Sequence, residues 1–226
     1  PGQGRGPEPA SSLATRRTGM TGGAPIAGLL LAGGLSRRMG GGDKCLRMLG
    51  GTTILARIAA CIAPQVGPLA LNANGDAARF DDFGLPVLPD VMPGNAGPLA
   101  GVLTGLEWAS ARGCSWLATI PTDAPFLPPE LIGRMVDAVA SEGSDMACAA
   151  SAGRNHPVAG LWPVRLRAAL RHAMTVENIR KVDRWTGGYE LSVVEFTSDP
   201  YDPFFNVNRP EDLERAEEIM ALVDTI

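Results

Sequence analysis

At 226 residues the chain has room for one domain built around its own hydrophobic core. A hydrophobic fraction of 45% and a charged fraction of 19%, with 28 Gly and 19 Pro, exclude a disordered chain and describe a globular protein rich in turns. The formal net charge is -4 and the 20 Lys and Arg are scattered, which argues against a nucleic-acid partner and leaves any phosphate recognition to local features.

Residues 1–25 are rich in Gly, Pro, Ser and Arg with no hydrophobic period, and are expected to form a flexible tail in which Met20 could be the natural start. A single domain is expected over 26–226. Residues 26–31 form an unbroken apolar run, the pattern of a strand buried on both faces. A glycine-rich loop follows, and then Ile54, Leu55, Ile58, Ala59 and Ile62 recur at helical spacing, with Pro64 as the stop. Residues 69–73 and 86–88 read as the second and third strands, the latter delivering Pro89-Asp90.

Pro98 opens a helix with Leu99, Val102, Leu103 and Leu106 on one face and Gly113 near its end. Residues 115–120 give a fourth strand that runs into Pro121-Thr122-Asp123, and Pro128-Pro129-Glu130 starts a helix carrying Leu131, Ile132, Met135, Val136 and Val139. Strands are expected at 145–150, 157–162 and 191–196, and helical stretches at 164–174 and 176–185. Asn206-Val207-Asn208-Arg209-Pro210-Glu211-Asp212 is a helix-start signature, followed by Leu213, Ala216, Ile219, Met220 and Val223 on one face. Strands alternating with helices predict an α/β fold with a mainly parallel sheet covered on both faces. Ligands in such folds sit beyond the carboxyl ends of the strands, so the loops after Leu31, Leu71, Leu88 and Ile120 are the ones to inspect.

Cys45, Cys61, Cys114 and Cys148 are far apart and include no C-x-x-C pair, and two histidines leave too few clustered ligands for zinc. Free thiols in a reducing cytoplasm are expected. Residues 26–32, the most apolar run, fall far short of the ~20 that cross a bilayer, so a soluble cytoplasmic protein without a membrane partner is expected.

Between Leu31 and Lys44 lie Gly33, Gly34, Gly40, Gly41 and Gly42 together with Arg37, Arg38 and Lys44. Glycines let backbone N–H groups approach a phosphate, arginine forks hold its oxygens in pairs, and lysine acts as a compact charge. The alternative is a surface loop with solvated cations, but a position directly after the first buried strand favours phosphate. The P-loop pattern fails, because Lys44 is preceded by Asp43 and followed by Cys45, and the dinucleotide fingerprint Gly-x-Gly-x-x-Gly is absent from this loop.

Taken together, Leu31-Ala32-Gly33-Gly34-x-Ser36-x-Arg38-Met39-Gly40 and Asp43-Lys44 resemble the signature of the molybdenum cofactor guanylyltransferases, within the nucleotidyltransferase superfamily. The likeness continues through Asn72-Ala73-Asn74, Pro89-Asp90, Gly97-Pro98-Leu99-Ala100-Gly101, Pro121-Thr122-Asp123-Ala124-Pro125-Phe126, His156-Pro157 and Phe205-Asn206-Val207-Asn208. Leu-Ala-Gly-Gly paired with Phe-Asn-Val-Asn is specific to the guanylyltransferase branch. Cytidylyltransferase relatives resemble Leu-Ala-Ala-Gly, so Gly33 discriminates.

The resemblance implies a three-layer Rossmann-like nucleotidyltransferase fold and transfer of GMP from GTP to the phosphate of molybdopterin, with release of pyrophosphate. It implies Arg38, Lys44 and Asp123 as catalytic residues and Asp123 as the Mg2+ ligand. Leu31, Ala32, Gly33, Gly34, Lys44, Asn72, Asp90, Asp123, Asn206 and Asn208 would bind the nucleotide. Transient contact with cofactor-biosynthesis proteins or molybdoenzyme chaperones is a further expectation. By residue type alone, Asp123 and Asp90 suit turns as well as sites, and Asn72 suits a turn. Asn208 suits a helix N-cap, and His156 suits either a general base or an oriented structural histidine; the resemblance implies that His156 lies near the pterin side. A molybdopterin cytidylyltransferase, a sugar-phosphate nucleotidyltransferase and a non-catalytic nucleotide-binding domain are the alternatives.

Overall fold

The computed structural model describes residues 20–21, 24–33, 43–93 and 97–223. Met20–Thr21 (β1) pairs antiparallel with Ala24 and Pro25, so strand pairing begins inside the stretch expected to be tail. Ala24–Leu31 (β2) is the central strand, and Ile26, Ala27, Leu29 and Leu30 are wholly buried in it. Met48–Leu49 (β3) and Thr52–Thr53 (β4) form a small hairpin, which leads into the helix Ile54–Ile62 (α1). The Thr53 hydroxyl caps that helix by accepting from Ala56 N–H at 3.1 Å. Next come Leu69–Asn72 (β5), a 3-10 segment Ala77–Phe83, and Val87–Leu88 (β6).

Pro98–Ala111 (α2), Trp116–Pro121 (β7), Leu131–Glu142 (α3), Met146–Ser151 (β8) and Arg154–Pro163 (β9) follow. Arg167–Thr175 (α4), Val182–Thr186 (α5), Leu191–Phe196 (β10) and Pro210–Val223 (α6) complete the described chain. The main sheet runs β10-β8-β9-β7-β2-β5-β6. Every neighbouring pair along that path is parallel except the two that involve β9. The expected α/β fold with a mainly parallel sheet is therefore present.

Alternation along β2 explains the three layers. Ile26 and Leu30 point into one apolar cluster with Ile54, Leu55, Ile58, Leu131, Met135, Ile219 and Met220 from α1, α3 and α6. Ala27 and Leu29 point into a second cluster with Leu99, Leu103, Leu106, Leu170 and Trp185 from α2, α4 and α5. Successive side chains of a strand face opposite sides, so one apolar strand feeds both clusters.

Helix α2 lies unusually close to the sheet. A Cβ on Gly105 would come within 2.7 Å of Leu29 Cδ2 and of Leu117 Cδ2, so the absence of a side chain permits the approach.

The helix expected over 176–185 is corrected: only Val182–Thr186 is helical there. Asn178 takes φ 56°, in the left-handed region, which no helix interior accommodates. The end of α4 is also closed off. Ile179 N–H donates to Ala173 O at 3.0 Å, and the Arg180 guanidinium donates to Met174 O at 2.5 Å.

Parallel topology has one consequence for function. The carboxyl ends of β2, β5, β6 and β7 share one edge of the sheet, and so does the carboxyl end of β8. Because β9 is reversed, its amino end, Arg154 onward, arrives at that same edge. A two-residue turn makes the reversal: Ser151 pairs with Arg154, and the intervening Ala152 and Gly153 have φ of 49° and 71°. Positive φ at both positions is the demand of a type I′ hairpin.

Candidate active site

A cavity of about 930 Å³ opens along that edge. Of the residues expected at the site, Leu31, Ala32, Gly33, Lys44, Asn72, Asp90, Asp123 and Asn206 line it. Asn208 joins them through Lys44. Gly34 and Arg38, the remaining two, lie outside the described residues.

The centre of the site is a cluster assembled from three distant segments. Lys44 Nζ stands 3.2 Å from Asp123 Oδ2 and donates to Asn208 Oδ1 at 2.6 Å. Lys44 opens the short 3-10 turn Lys44–Leu46, whose buried Cys45 anchors it to the core. Asp123 follows the carboxyl end of β7, where the Thr122 hydroxyl donates to Leu31 O at 3.0 Å and ties this loop to the end of β2. Val207 is fully buried, and its N–H donates to Asp123 O at 2.8 Å. This bond seats the Asn206-Val207-Asn208 segment beside Asp123.

Asn208 does not cap α6 with its side chain. Asp212 does that work: its Oδ2 accepts from the N–H groups of Asn208 at 2.8 Å and Arg209 at 2.9 Å. A carboxylate in the first turn, reaching back to the N–H groups ahead of the helix, is the reciprocal half of a capping box and is favoured by the helix dipole. The Asn208 amide is thereby free to meet Lys44.

A second polar group occupies the ends of β5 and β6. Asn72 is 4% exposed, and its amide donates to Leu88 O at 2.9 Å and to Asp90 Oδ1 at 3.0 Å. The Asn74 amide donates to Asp90 Oδ2 at 2.8 Å and accepts from Asp90 N–H at 2.9 Å. Asp90 is thus a held carboxylate at the cavity wall, not a simple turn former. Each of its oxygens keeps a lone pair for a further donor.

Gly101 makes this arrangement possible, because a Cβ there would lie 2.5 Å from Asn72 Oδ1 and 2.6 Å from Leu31 Cδ2. Gly101→Ala is expected to push Asn72 off Asp90 and to cost about 1–3 kcal/mol through overpacking. Urea denaturation reads the stability loss, and nucleotide titration reads a weaker site.

Sequence reasoning missed several lining residues. Arg79 lines the cavity and binds Asp43 through Nε–Oδ2 at 2.6 Å, while its Nη2 donates to Asn74 O at 2.8 Å. It thus links the segment before Lys44 to the Asn74–Asp90 pair. No local pattern marks it, since the surrounding 77–83 segment buries only Phe80. Arg154 and Asn155, likewise missed, and His156, a candidate already named from the sequence, line the other end of the cavity, brought there by the β8–β9 turn. The Ala152-Gly153 turn was the available signal. His156 is half-buried and stacks on Phe204, with centroids 4.4 Å apart and planes 16° apart. Burial lowers its affinity for a proton, against the opposing pull of Asp202.

The four cysteines are free, as expected. Burial pushes the Cys45 thiol up to about 11, so although it lines the cavity it is no nucleophile near neutral pH. Among the described residues, no helix is long and apolar enough to cross a membrane.

The family model described as the MobA-like NTP transferase domain matches residues 28–190. A protein named molybdenum cofactor guanylyltransferase from Bradyrhizobium sp. (strain ORS 278) is 52% identical over 201 residues, 88% of this chain and 95% of that one. The chain belongs to the molybdenum cofactor guanylyltransferase family. Another member carrying that name, from Rhodopseudomonas palustris (strain BisB5), is 53% identical over 193 residues, covering 84% of this chain and 92% of its own. At the level of fold, the molybdopterin-guanine dinucleotide biosynthesis protein A from Archaeoglobus fulgidus superposes with a TM-score of 0.66 at 23% identity. That match covers 87% of this chain and 99% of the other. The chain is a nucleotidyltransferase.

Proposed function

We propose that this guanylyltransferase-family enzyme joins the terminal phosphate of molybdopterin to the α-phosphorus of GTP in the cavity at the sheet edge. A phosphate oxygen of molybdopterin forms the new P–O bond, the bond from the α-phosphorus to the bridging β-oxygen breaks, and pyrophosphate leaves. The nucleophile is already an anion and needs no protein base. What the protein must do is hold two anionic substrates in line and offset their repulsion.

The observation that carries this reading is the Lys44–Asp123–Asn208 cluster. Before substrate enters, the Lys44 ammonium is held by a carboxylate and an amide oxygen. As the triphosphate enters, Lys44 turns from Asp123 to the phosphate oxygens, and the backbone N–H of Gly33 at the cavity wall receives the same charge. Arg38 adds a guanidinium from the glycine-rich stretch. Asn206 and Asn208 orient the phosphates, while Asp90, braced by Asn72 and Asn74, accepts from the guanine edge or the ribose hydroxyls.

Asp123 fits a magnesium ion, judged by its own contacts. Its Oδ2 already holds a cationic head group at 3.2 Å, and its side chain is 24% exposed at the cavity. Among the described residues no group of three or more His, Cys, Asp and Glu comes together. A single partly exposed carboxylate at the cavity suits an ion which takes one or two carboxylates and completes its shell with water and substrate phosphate. When bound, Mg2+ would supply charge neutralisation on the triphosphate.

A thermal-shift panel of GTP, ATP, CTP and UTP with Mg2+ tests the base assignment. Stabilisation by GTP above the other three is expected; stabilisation by CTP and not GTP would place the chain's activity with the cytidylyltransferases.

A further inference from the structure

The end of the cavity opposite Asp90 contains a polar chain that nucleotide binding does not use. Ser151, fully buried at the end of β8, has its hydroxyl 2.7 Å from His156 Nε2 and 2.7 Å from Asp202 Oδ1. The same Asp202 oxygen accepts from Phe204 N–H at 2.9 Å, which fixes the carboxylate in place.

The direction of this chain follows from counting protons. A carboxylate offers lone pairs and no proton, so the single hydroxyl proton of Ser151 goes to Asp202. The serine oxygen can then only accept from the imidazole, so Nε2 carries a hydrogen. A neutral imidazole has one N–H, which leaves Nδ1 with a free lone pair. Among the described residues Nδ1 has no hydrogen-bond partner, and His156 lines the cavity. Stacking on Phe204 fixes the ring plane.

We propose that Asp202 and Ser151 are positioning residues that hold His156 in its Nε2–H tautomer, so that Nδ1 accepts a hydrogen bond from an N–H or amino group on the heterocycle of the second substrate. This rests on the reading that the His156 end of the cavity takes molybdopterin. The groups acting on His156 support a neutral ring: burial and the nearby Arg154 charge disfavour the proton, and Asp202 and Glu195 favour it, with burial the largest influence. A neutral acceptor at this position selects a donor edge. The opposite tautomer would present a donor and select a carbonyl or phosphate.

The chain has two histidines, and His172 is exposed on α4, so histidine 15N signals can be assigned with one variant, His172→Gln. Long-range 1H–15N correlation on the full chain at pH 7.5 is expected to show His156 neutral and protonated at Nε2. In Asp202→Ala the Ser151 proton is free to turn toward Nε2, and the ring is expected to switch to the Nδ1–H form. The KM for molybdopterin should then rise about tenfold, the equivalent of one hydrogen bond, while the KM for GTP stays within about twofold. Asp202→Asn keeps an oxygen acceptor for Ser151 and Phe204 and is expected to retain the original tautomer and KM.

Ser151→Ala provides an independent break in the chain and is expected to give a mixture of tautomers. An Nδ1–H or doubly protonated ring in the unaltered protein overturns the proposal. So does a tautomer that neither Asp202→Ala nor Ser151→Ala changes. A tautomer switch accompanied by a rise in KM for GTP instead shows that the relay exists but serves the wrong substrate, which overturns the reading on which the proposal rests.

Discussion

Replacing Lys44 by alanine is expected to lower kcat/KM for GTP about 10²–10³-fold, the usual consequence of removing one preorganised charged donor from developing negative charge. The fold should survive. The Lys44 and Asp123 side chains are 26% and 24% exposed, and partly solvated pairs of this kind contribute at most about 1 kcal/mol. Lys44→Ala should therefore unfold in urea close to the parent midpoint while turnover collapses. Lys44→Arg is a useful companion, because the 2.6 Å contact with Asn208 Oδ1 is fitted to a compact ammonium and not to a planar fork. Near-normal guanylyl transfer by Lys44→Ala would remove Lys44 from the mechanism.

Asp123→Ala is expected to be more severe. On the proposed role of Asp123 as magnesium ligand, its loss forfeits several kcal/mol of charge stabilisation, which at 1.36 kcal/mol per decade is about a thousandfold or more in turnover. The substitution also leaves the Val207 N–H bond intact, because that bond uses the backbone carbonyl of Asp123. The Asn206-Val207-Asn208 segment should stay seated, so the loss reports on the carboxylate alone. Raising Mg2+ is expected to recover part of the activity of Asp123→Asn, where an oxygen ligand remains, and none in Asp123→Ala. Titration of Mg2+ against initial rate for the two variants separates these outcomes.

Most of the fold was legible because the core strands and helices carry strong periodicity. Residues 26–31 had to be a strand buried on both faces, and Leu131, Ile132, Met135 and Val139 had to share a helix face. The hairpin of Met48–Leu49 and Thr52–Thr53 was not legible, since two-residue strands have no period to detect. The helix expected over 176–185 failed at Asn178, whose left-handed backbone is a property of position and not of composition.

The site divides in the same way. Lys44, Asp123 and Asn208 were named from motif resemblance, but their meeting joins residues 79 and 164 positions apart, which no local pattern records. Asn208 also suits a helix cap by residue type, and only the position of Asp212, which occupies that role, separates the two readings. Ser151 and Asp202 carry no signal at all, because a serine ending an apolar strand and an aspartate before a proline are ordinary turn chemistry until 51 residues of chain bring them together.

The central claim is that one cavity binds both substrates and couples them through Lys44 and Asp123. Pyrophosphate release by the purified chain, supplied with GTP and Mg2+ in the presence and absence of molybdopterin, tests it most directly. Release that requires molybdopterin and is abolished by Asp123→Ala is the expected result. Equal release without molybdopterin, or undiminished release from Asp123→Ala, would contradict it.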